Sequence, residues 1–338
     1  MARASFPTSR ILGCGYRLPP RVVTNDELAQ VMDTSDEWIE KRTGIKRRRF
    51  VVDSEGSVPL AEAAARQALE GAGLSPSDLD LIVCCTLSPD IDFPGNSALL
   101  QERLGLAGIP AFDLRNQCSG FIYGIAVADQ YIRTGGARYV LLVGSEVHST
   151  GTEFSTRGRD VTVLFGDGAG AVVLGPSEDA CRGLLGFRLH AEGRFADKLC
   201  VEGPGHRRSP RVSEALMAPE SDFVFPRMDG RYVFKHAVVR LTEVIKEVLD
   251  DQGMGPEAID MLVPHQANLR INQLVAMGLN IGEDRMVNNI EKYGNTTAAT
   301  IPILLGETLE AGRIVDGDVV CMAAFGSGFT WGATLFRW

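Results

Sequence analysis

Apolar positions in this chain form two kinds of run. Blocks apolar at nearly every position, Leu79 to Thr86, Tyr139 to Gly144 and Ala171 to Leu174, predict strands buried on both faces, since a strand with one wet face alternates. Other stretches predict helices. Ala61 to Glu70 is alanine-rich and stopped by Gly71 and Gly73, Ala98 to Leu104 follows, and Cys118 to Arg133 is largely apolar all round until Gly135-Gly136. The last of these should therefore be buried. A first strand runs from Arg10 to Gly15. Thr24, Asn25, Asp26 and Glu27 open a helical stretch reaching Lys41, and Asp33 to Trp38 opens a short helix ending at Thr43-Gly44. The run Lys46-Arg47-Arg48-Arg49 reads as a solvated surface strand.

The pattern then repeats. Gly73 to Val83 aligns with Gly253 to Val263 without a gap; each copy follows an amphipathic helix (61–70; 238–250) and leads into a buried strand. Phe165-Gly166-Asp167-Gly168 is echoed by Phe325-Gly326-Ser327-Gly328, again ahead of a strand. Two echoes in the same order imply duplication into halves 1–178 and 179–338, with a site where the strand ends of the halves converge. Residues 176–230, rich in Gly, Pro and charge, hold the join and an excursion over the surface.

Composition narrows the function. The 338 residues, 45% of them hydrophobic, are ample for a large core. No apolar run reaches the roughly 18 residues of a membrane span, and Arg3 and Arg10 are not followed by the apolar segment of a secretory signal. Seven cysteines without C-x-x-C spacing argue against a disulfide framework and a zinc site, which points to the cytoplasm. A net charge of −9 opposes nucleic acid as a partner.

The candidate chemistry centres on Cys118. A thiol at the first turn of a buried helix faces unpaired N–H groups and the positive dipole end, which favour the thiolate, and the small Ser119 and Gly120 leave room for a substrate. Taken alone, Cys118 would read as a small buried hydrophobe. The repeat places His265 at the C-terminal end of a second-half strand, where sites in such sheets gather. Asn295 lies in Gly294-Asn295-Thr296-Thr297, a turn opening a helix, and the glycine-rich loop 324–332 can turn backbone N–H groups toward an anion. Cys, His and Asn admit two chemistries: a papain-like hydrolase, or a condensing enzyme in which Cys holds an acyl group while His and Asn donate to an enolate.

Cys118 in Asn-Gln-Cys-Ser-Gly-Phe, His265 in His-Gln-Ala-Asn, Asn295 in Gly-Asn-Thr-Thr and the loop from Phe325 to Gly332 resemble the β-ketoacyl-acyl-carrier-protein synthase III family, as do segments 33–39 and 42–45. The resemblance implies a thiolase-like, five-layered αβαβα fold of two duplicated halves, working as a homodimer. It implies a decarboxylating condensation of an acyl-CoA primer with malonyl-acyl carrier protein, without metal or redox cofactor. It casts Cys118 as nucleophile, the N–H groups of Cys118 and Ser327 as oxyanion hole, His265 and Asn295 as donors to the enolate, and Phe325 as the packing that favours loss of CO₂. For CoA it implies Trp38 under adenine, Arg157 or Arg159 over it, Arg42 on phosphate and Asn268 on the pantetheine arm. Lys235 and Arg270 would meet the carrier protein, and Phe93 would cap the acyl pocket across the dimer. Arg231 departs from the family's frequent Asn. The rivals are a relative loading an unusual starter or transferring acyl groups in secondary metabolism, a cysteine hydrolase, and a non-catalytic binding protein. Degradative thiolase is disfavoured because Cys321 lies inside an apolar strand. A nicotinamide-dependent oxidoreductase lacks its glycine fingerprint.

Overall fold

The computed structural model describes residues 8–338 except 53–54, 178, 180 and 219; Arg3 and the boundary at residue 178 lie outside the described residues. In chain order the elements are β1 (Thr8–Arg17), β2 (Arg21–Thr24), α1 (Asn25–Leu28), α2 (Asp36–Thr43), β3 (Arg47–Phe50), α3 (Ser57–Ala72), β4 (Leu81–Cys85), α4 (Asn96–Arg103), β5 (Ala111–Leu114), α5 (Gly120–Arg133), β6 (Val140–Glu146), α6 (Arg159–Thr162) and β7 (Gly168–Ser177). There follow β8 (Gly183–Ala191), β9 (Leu199–Cys200), β10 (Arg227–Met228), α7 (Gly230–Asp250), β11 (Met261–Pro264), α8 (Leu269–Gly278), α9 (Ile290–Tyr293), α10 (Thr300–Glu310), β12 (Val319–Gly326) and β13 (Thr330–Arg337). The helical stretch predicted from Asn25 is two helices, because Ser35 caps α2 by accepting the Trp38 N–H, and Gly44 (φ 82°) closes it.

Two sheets carry the duplication. The first has strand order β1-β7-β6-β4-β5 and the second β8-β13-β12-β11. β4 pairs parallel with both β6 and β5, and β11 pairs parallel with β12, whereas β6 with β7, β7 with β1, β12 with β13 and β13 with β8 are antiparallel. A fifth strand in the second sheet is reduced to a single parallel bridge, Leu262 to Met286. The register repeats as well: Leu81 faces Val140, and Met261 faces Val320. The aligned segments 73–83 and 253–263 both start on a glycine at φ 65°, a left-handed conformation that costs other residues energy.

Alternation within the strands sorts the cores. Leu81, Val83 and Cys85 of β4 and Val320, Met322 and Ala324 of β12 point inward, onto α5 and α10 between the sheets. Ile82 and Cys84 point outward to α3, while Cys321 and Ala323 point outward to α7 and α8. Two outer helical layers, two sheets and a central helical layer make five, the thiolase-like αβαβα fold. Both strand faces are dry, which is why β4 and β12 read as continuous apolar runs.

The basic run departs from expectation. β3 forms, but Arg48 is fully buried; its Nη1 donates to Asn25 Oδ1 at 2.8 Å and its Nη2 to the Val163 carbonyl at 2.9 Å. Burial draws this guanidinium down to about 10. A strand inside a loop cluster points alternate residues inward, and Asn25 and two backbone carbonyls compensate the one that enters.

Candidate active site

Cys118 does not begin the long helix. The chain leaves β5, passes Gln117 at φ 45°, and puts Cys118 in a 3₁₀ turn (Gln117–Ser119) before α5 starts at Gly120. The expected thiolate is corrected too. Burial and the nearby Glu146 charge push the thiol up to about 12, against the lowering effect of the backbone N–H groups of Cys118 and Ser327, which reach the sulfur. Loss of water outweighs two dipoles. The resting group is a thiol with two N–H groups aimed at it. Their convergence depends on Gly326: a Cβ there would lie 2.9 Å from the Cys118 Cβ and 3.0 Å from its nitrogen.

His265 follows β11 and is held by its N–H on the Ala323 carbonyl at 2.8 Å. Its Nδ1 lies 2.6 Å from the Thr300 hydroxyl, which also lies 2.9 Å from the Thr297 carbonyl. Among the described residues the Nε2 is buried without a hydrogen-bond partner, and burial lowers the imidazole to about 3, so it is neutral. One rotatable hydroxyl proton can point to Nδ1 or to the carbonyl, so Thr300 suits either tautomer. Asn295 is fixed by its Oδ1, which accepts the Thr297 N–H at 2.8 Å. The bond needs Thr297 at φ 51° and turns the amide NH₂ away, as a donor.

These groups share a cavity of about 680 Å³, lined by Cys118, His265, Asn295 and Phe325 and reaching Trp38 and Arg42. Arg42, expected on phosphate, lies over the Trp38 ring at 4.2 Å, and Arg159 approaches the same ring at 5.3 Å. Arg157 instead bonds Glu153 Oε1 at 2.8 Å and the carbonyls of Glu220 and Ser221, so Arg159 is the arginine of this platform. Asn268, expected on the pantetheine arm, caps α8: its Oδ1 accepts the Arg270 N–H and its Nδ2 donates to the Arg42 carbonyl, both at 2.9 Å. Arg231 and Arg270 line the same cavity, whereas Lys235 is exposed on α7 outside it.

A second cavity of about 730 Å³ meets the first at Cys118, Phe165 and Leu199 and adds Ser327, Thr297, His148 and Cys200. Phe93 lines neither; it is 80% exposed, beside Pro89 and Asp90, which do line the second. Sequence reasoning missed Thr297, Thr300 and Leu199. Carrying the repeat forward would have found the first two, since Thr297 stands where Gln117 does and shares its positive φ. Leu199, whose carbonyl accepts the Ser327 hydroxyl, lies in the irregular excursion and has no sequence signal. Among the described residues no three His, Cys, Asp or Glu side chains gather as metal ligands would, and no helix is long and apolar enough to cross a membrane.

Known proteins resemble this chain in sequence and in fold. Residues 112–193 match the family described as 3-oxoacyl-[acyl-carrier-protein] synthase III, and residues 249–338 match its C-terminal counterpart. The chain is 46% identical over 333 residues to the β-ketoacyl-[acyl-carrier-protein] synthase III of Rhodospirillum centenum, covering 98% of this chain and 99% of that one. The Methylococcus capsulatus enzyme of the same name is 44% identical, with the same coverages. The crystal structure of 3-oxoacyl-[acyl-carrier-protein] synthase III from Aquifex aeolicus superposes with a TM-score of 0.89 at 42% identity, over 98% of this chain and 100% of the other. The priming β-ketosynthase of the R1128 polyketide pathway reaches 0.90 at 31% identity, over 98% and 97%. A thiol shared by two cavities, with an imidazole and an amide at its side, thus sits in a chain that belongs to the β-ketoacyl-[acyl-carrier-protein] synthase III family of condensing acyltransferases.

Proposed function

We propose that the protein initiates fatty acid synthesis by condensing an acyl-CoA with malonyl-acyl carrier protein. The reading rests on one observation: Cys118, His265 and Asn295 border a single cavity, with two backbone N–H groups converging on the sulfur. In the first step His265 Nε2 takes the thiol proton, the sulfur attacks the thioester carbonyl, the carbon–sulfur bond to CoA breaks, and the proton passes to the CoA sulfur. The N–H groups of Cys118 and Ser327 hold the transient oxyanion, a contribution of about 3 kcal/mol per donor. In the second step malonyl thioester loses CO₂. His265 Nε2–H and the Asn295 NH₂ hold the enolate oxygen, Phe325 favours the uncharged departing CO₂, and the carbanion attacks the acyl-cysteine carbonyl. The Cys118 thiolate leaves and takes one proton from solvent, the proton that the overall condensation consumes.

The two steps ask opposite things of Nε2, an acceptor first and a donor second. The Thr300 hydroxyl accommodates both by rotation. Trp38 with Arg159 and Arg42 would hold the adenine end of CoA, with Arg231 and Asn268 along the arm. Arg270 and Lys235 would meet the carrier protein's acidic face. The exposed Phe93 would close the second cavity of a partner copy in a cytoplasmic homodimer. Likeness to a polyketide priming synthase keeps an unusual starter as a second reading. Intact-protein mass spectrometry after mixing with acyl-CoA should show one acyl adduct, lost in Cys118→Ala. Equal labelling of both proteins would remove the proposal.

A further inference from the structure

The condensation just proposed divides the two cavities. His265, Asn295 and Phe325 border only the first, so malonyl thioester reacts there. The acyl chain already on Cys118 must then lie in the second. The wall of that second cavity holds an imidazole where a simple alkyl chain needs only hydrocarbon. His148 is 7% exposed, packs its ring on Phe165 at 4.6 Å, and has its Nε2 2.6 Å from the Thr297 hydroxyl. Its backbone N–H is pinned to Asp167 Oδ1 at 2.7 Å. Thr297 is the ring's one hydrogen-bond partner among the described residues, which leaves Nδ1 to the cavity the ring lines. That nitrogen, unlike the enclosed His265 Nε2, is open to the cavity, where a substrate group can replace water on it. The ring is neutral, since burial lowers it to about 4.

We propose that the acyl primer carries a hydroxyl, which hydrogen-bonds His148 Nδ1 in the second cavity. A hydroxyl both donates and accepts, so it meets the ring in either tautomer. A carboxylate would want a buried cation, and Arg115, the arginine lining this cavity, is exposed. Leu87, Val147, Leu199 and Val201 line the same cavity and suit a hydrocarbon skeleton, while Ser88, Asp90, Gln117, Thr150 and Thr152 make other parts of its wall polar. This inference depends on the condensing-enzyme reading and narrows it to hydroxyacyl thioesters.

The test uses acyl-CoAs in which a hydroxyl is walked from the second to the fifth carbon, each paired with the isostere bearing a methyl group instead. Acylation of Cys118 is followed as CoA release and as the mass of the acyl peptide. At one position the hydroxyl form should acylate the wild type about tenfold faster than its isostere, the worth of one hydrogen bond. His148→Leu should abolish or invert that ratio and His148→Gln should keep part of it. Each ratio is taken on one protein sample, so it does not depend on the fraction folded. Isosteres faster at every position in the wild type, or the same ratio in His148→Leu, would overturn the inference: water alone would then satisfy Nδ1. No adduct from any acyl-CoA would instead overturn the condensing-enzyme reading.

Discussion

The two halves place the same backbone under different side chains. Gln117 and Thr297 both turn at positive φ, 45° and 51°, each inside a 3₁₀ turn that precedes a buried helix. The first turn carries Cys118 and the second Ala298. At the matching strand ends stand Cys85 and His265. The Cys85 thiol lies 3.2 Å from the Gly120 carbonyl, whereas the His265 ring uses the hydroxyl of Thr300, which opens α10 as Gly120 opens α5. Glu146 ends β6 where Gly326 ends β12. The carboxylate accepts from Thr86, Leu87 and Ser88 and ties down its own half, while the glycine admits the backbone and Cβ of Cys118 from the other half. Duplication thus supplied two equivalent elbows, and chemistry arose where their side chains diverged. The insertions diverge likewise: residues 18–56 bring Trp38 to the first cavity, and residues 192–229 bring Leu199 between the two.

The sharpest test of this asymmetry exchanges nothing but the thiols. Cys118→Ala should remove the acyl adduct entirely, whereas Cys85→Ala should leave it stoichiometric at a stability cost of about 1 kcal/mol, both read by intact mass and thermal unfolding. Gly326→Ala should slow acylation by at least about a hundredfold with the far-ultraviolet spectrum intact, because its methyl group displaces the Cys118 backbone and the Ser327 N–H together. Wild-type acylation rates in that variant would mean that the oxyanion hole lies elsewhere. Thr300→Val should slow CO₂ release from malonyl-acyl carrier protein by roughly 10–100-fold, the range of a lost positioning hydrogen bond, and Thr300→Ser should restore it. Arg159→Ala should raise KM for acyl-CoA several-fold through the lost cation–π partner of the platform; Arg157→Ala, bound to Glu153, should not.

The smallest effect concerns acid stability. His148 and His265 fall from the ordinary 6.5 to about 4 and about 3, so below pH 6.5 the unfolded chain binds protons that the folded one refuses. Each therefore lowers stability as pH falls, by about 1.4 kcal/mol per pH unit. Glu146, raised by burial from 4.5 to about 7, acts in the opposite sense, because the folded state holds its proton more tightly between those values. His148→Leu should flatten the acid-side slope of denaturation free energy by one proton between pH 6 and pH 4. An unchanged slope would mean that the ring is protonated in the folded chain.

Much of this was legible in the linear chain. Apolar runs located both sheets, the gapless match of 73–83 with 253–263 exposed the duplication, and the neighbours of Cys118, His265 and Asn295 marked three residues that line one cavity. Those signals are local: periodicity, turn residues and short motifs act over a few positions, so they survive in one dimension. What folding alone decided depended on distant segments coming together. Arg48 is buried because Asn25 and Val163 receive it, although its own neighbours read as surface. The Cys118 thiol keeps its proton because a second half-molecule and a loop around Leu199 exclude water from it, which no helix end can offset. Arg159 rather than Arg157 stacks on Trp38 because Glu153, Glu220 and Ser221 had already claimed the other. His148 acquires meaning only with Phe165 on its face and Thr297 on its edge, contacts made by the loop ahead of β7 and by a turn from the opposite half.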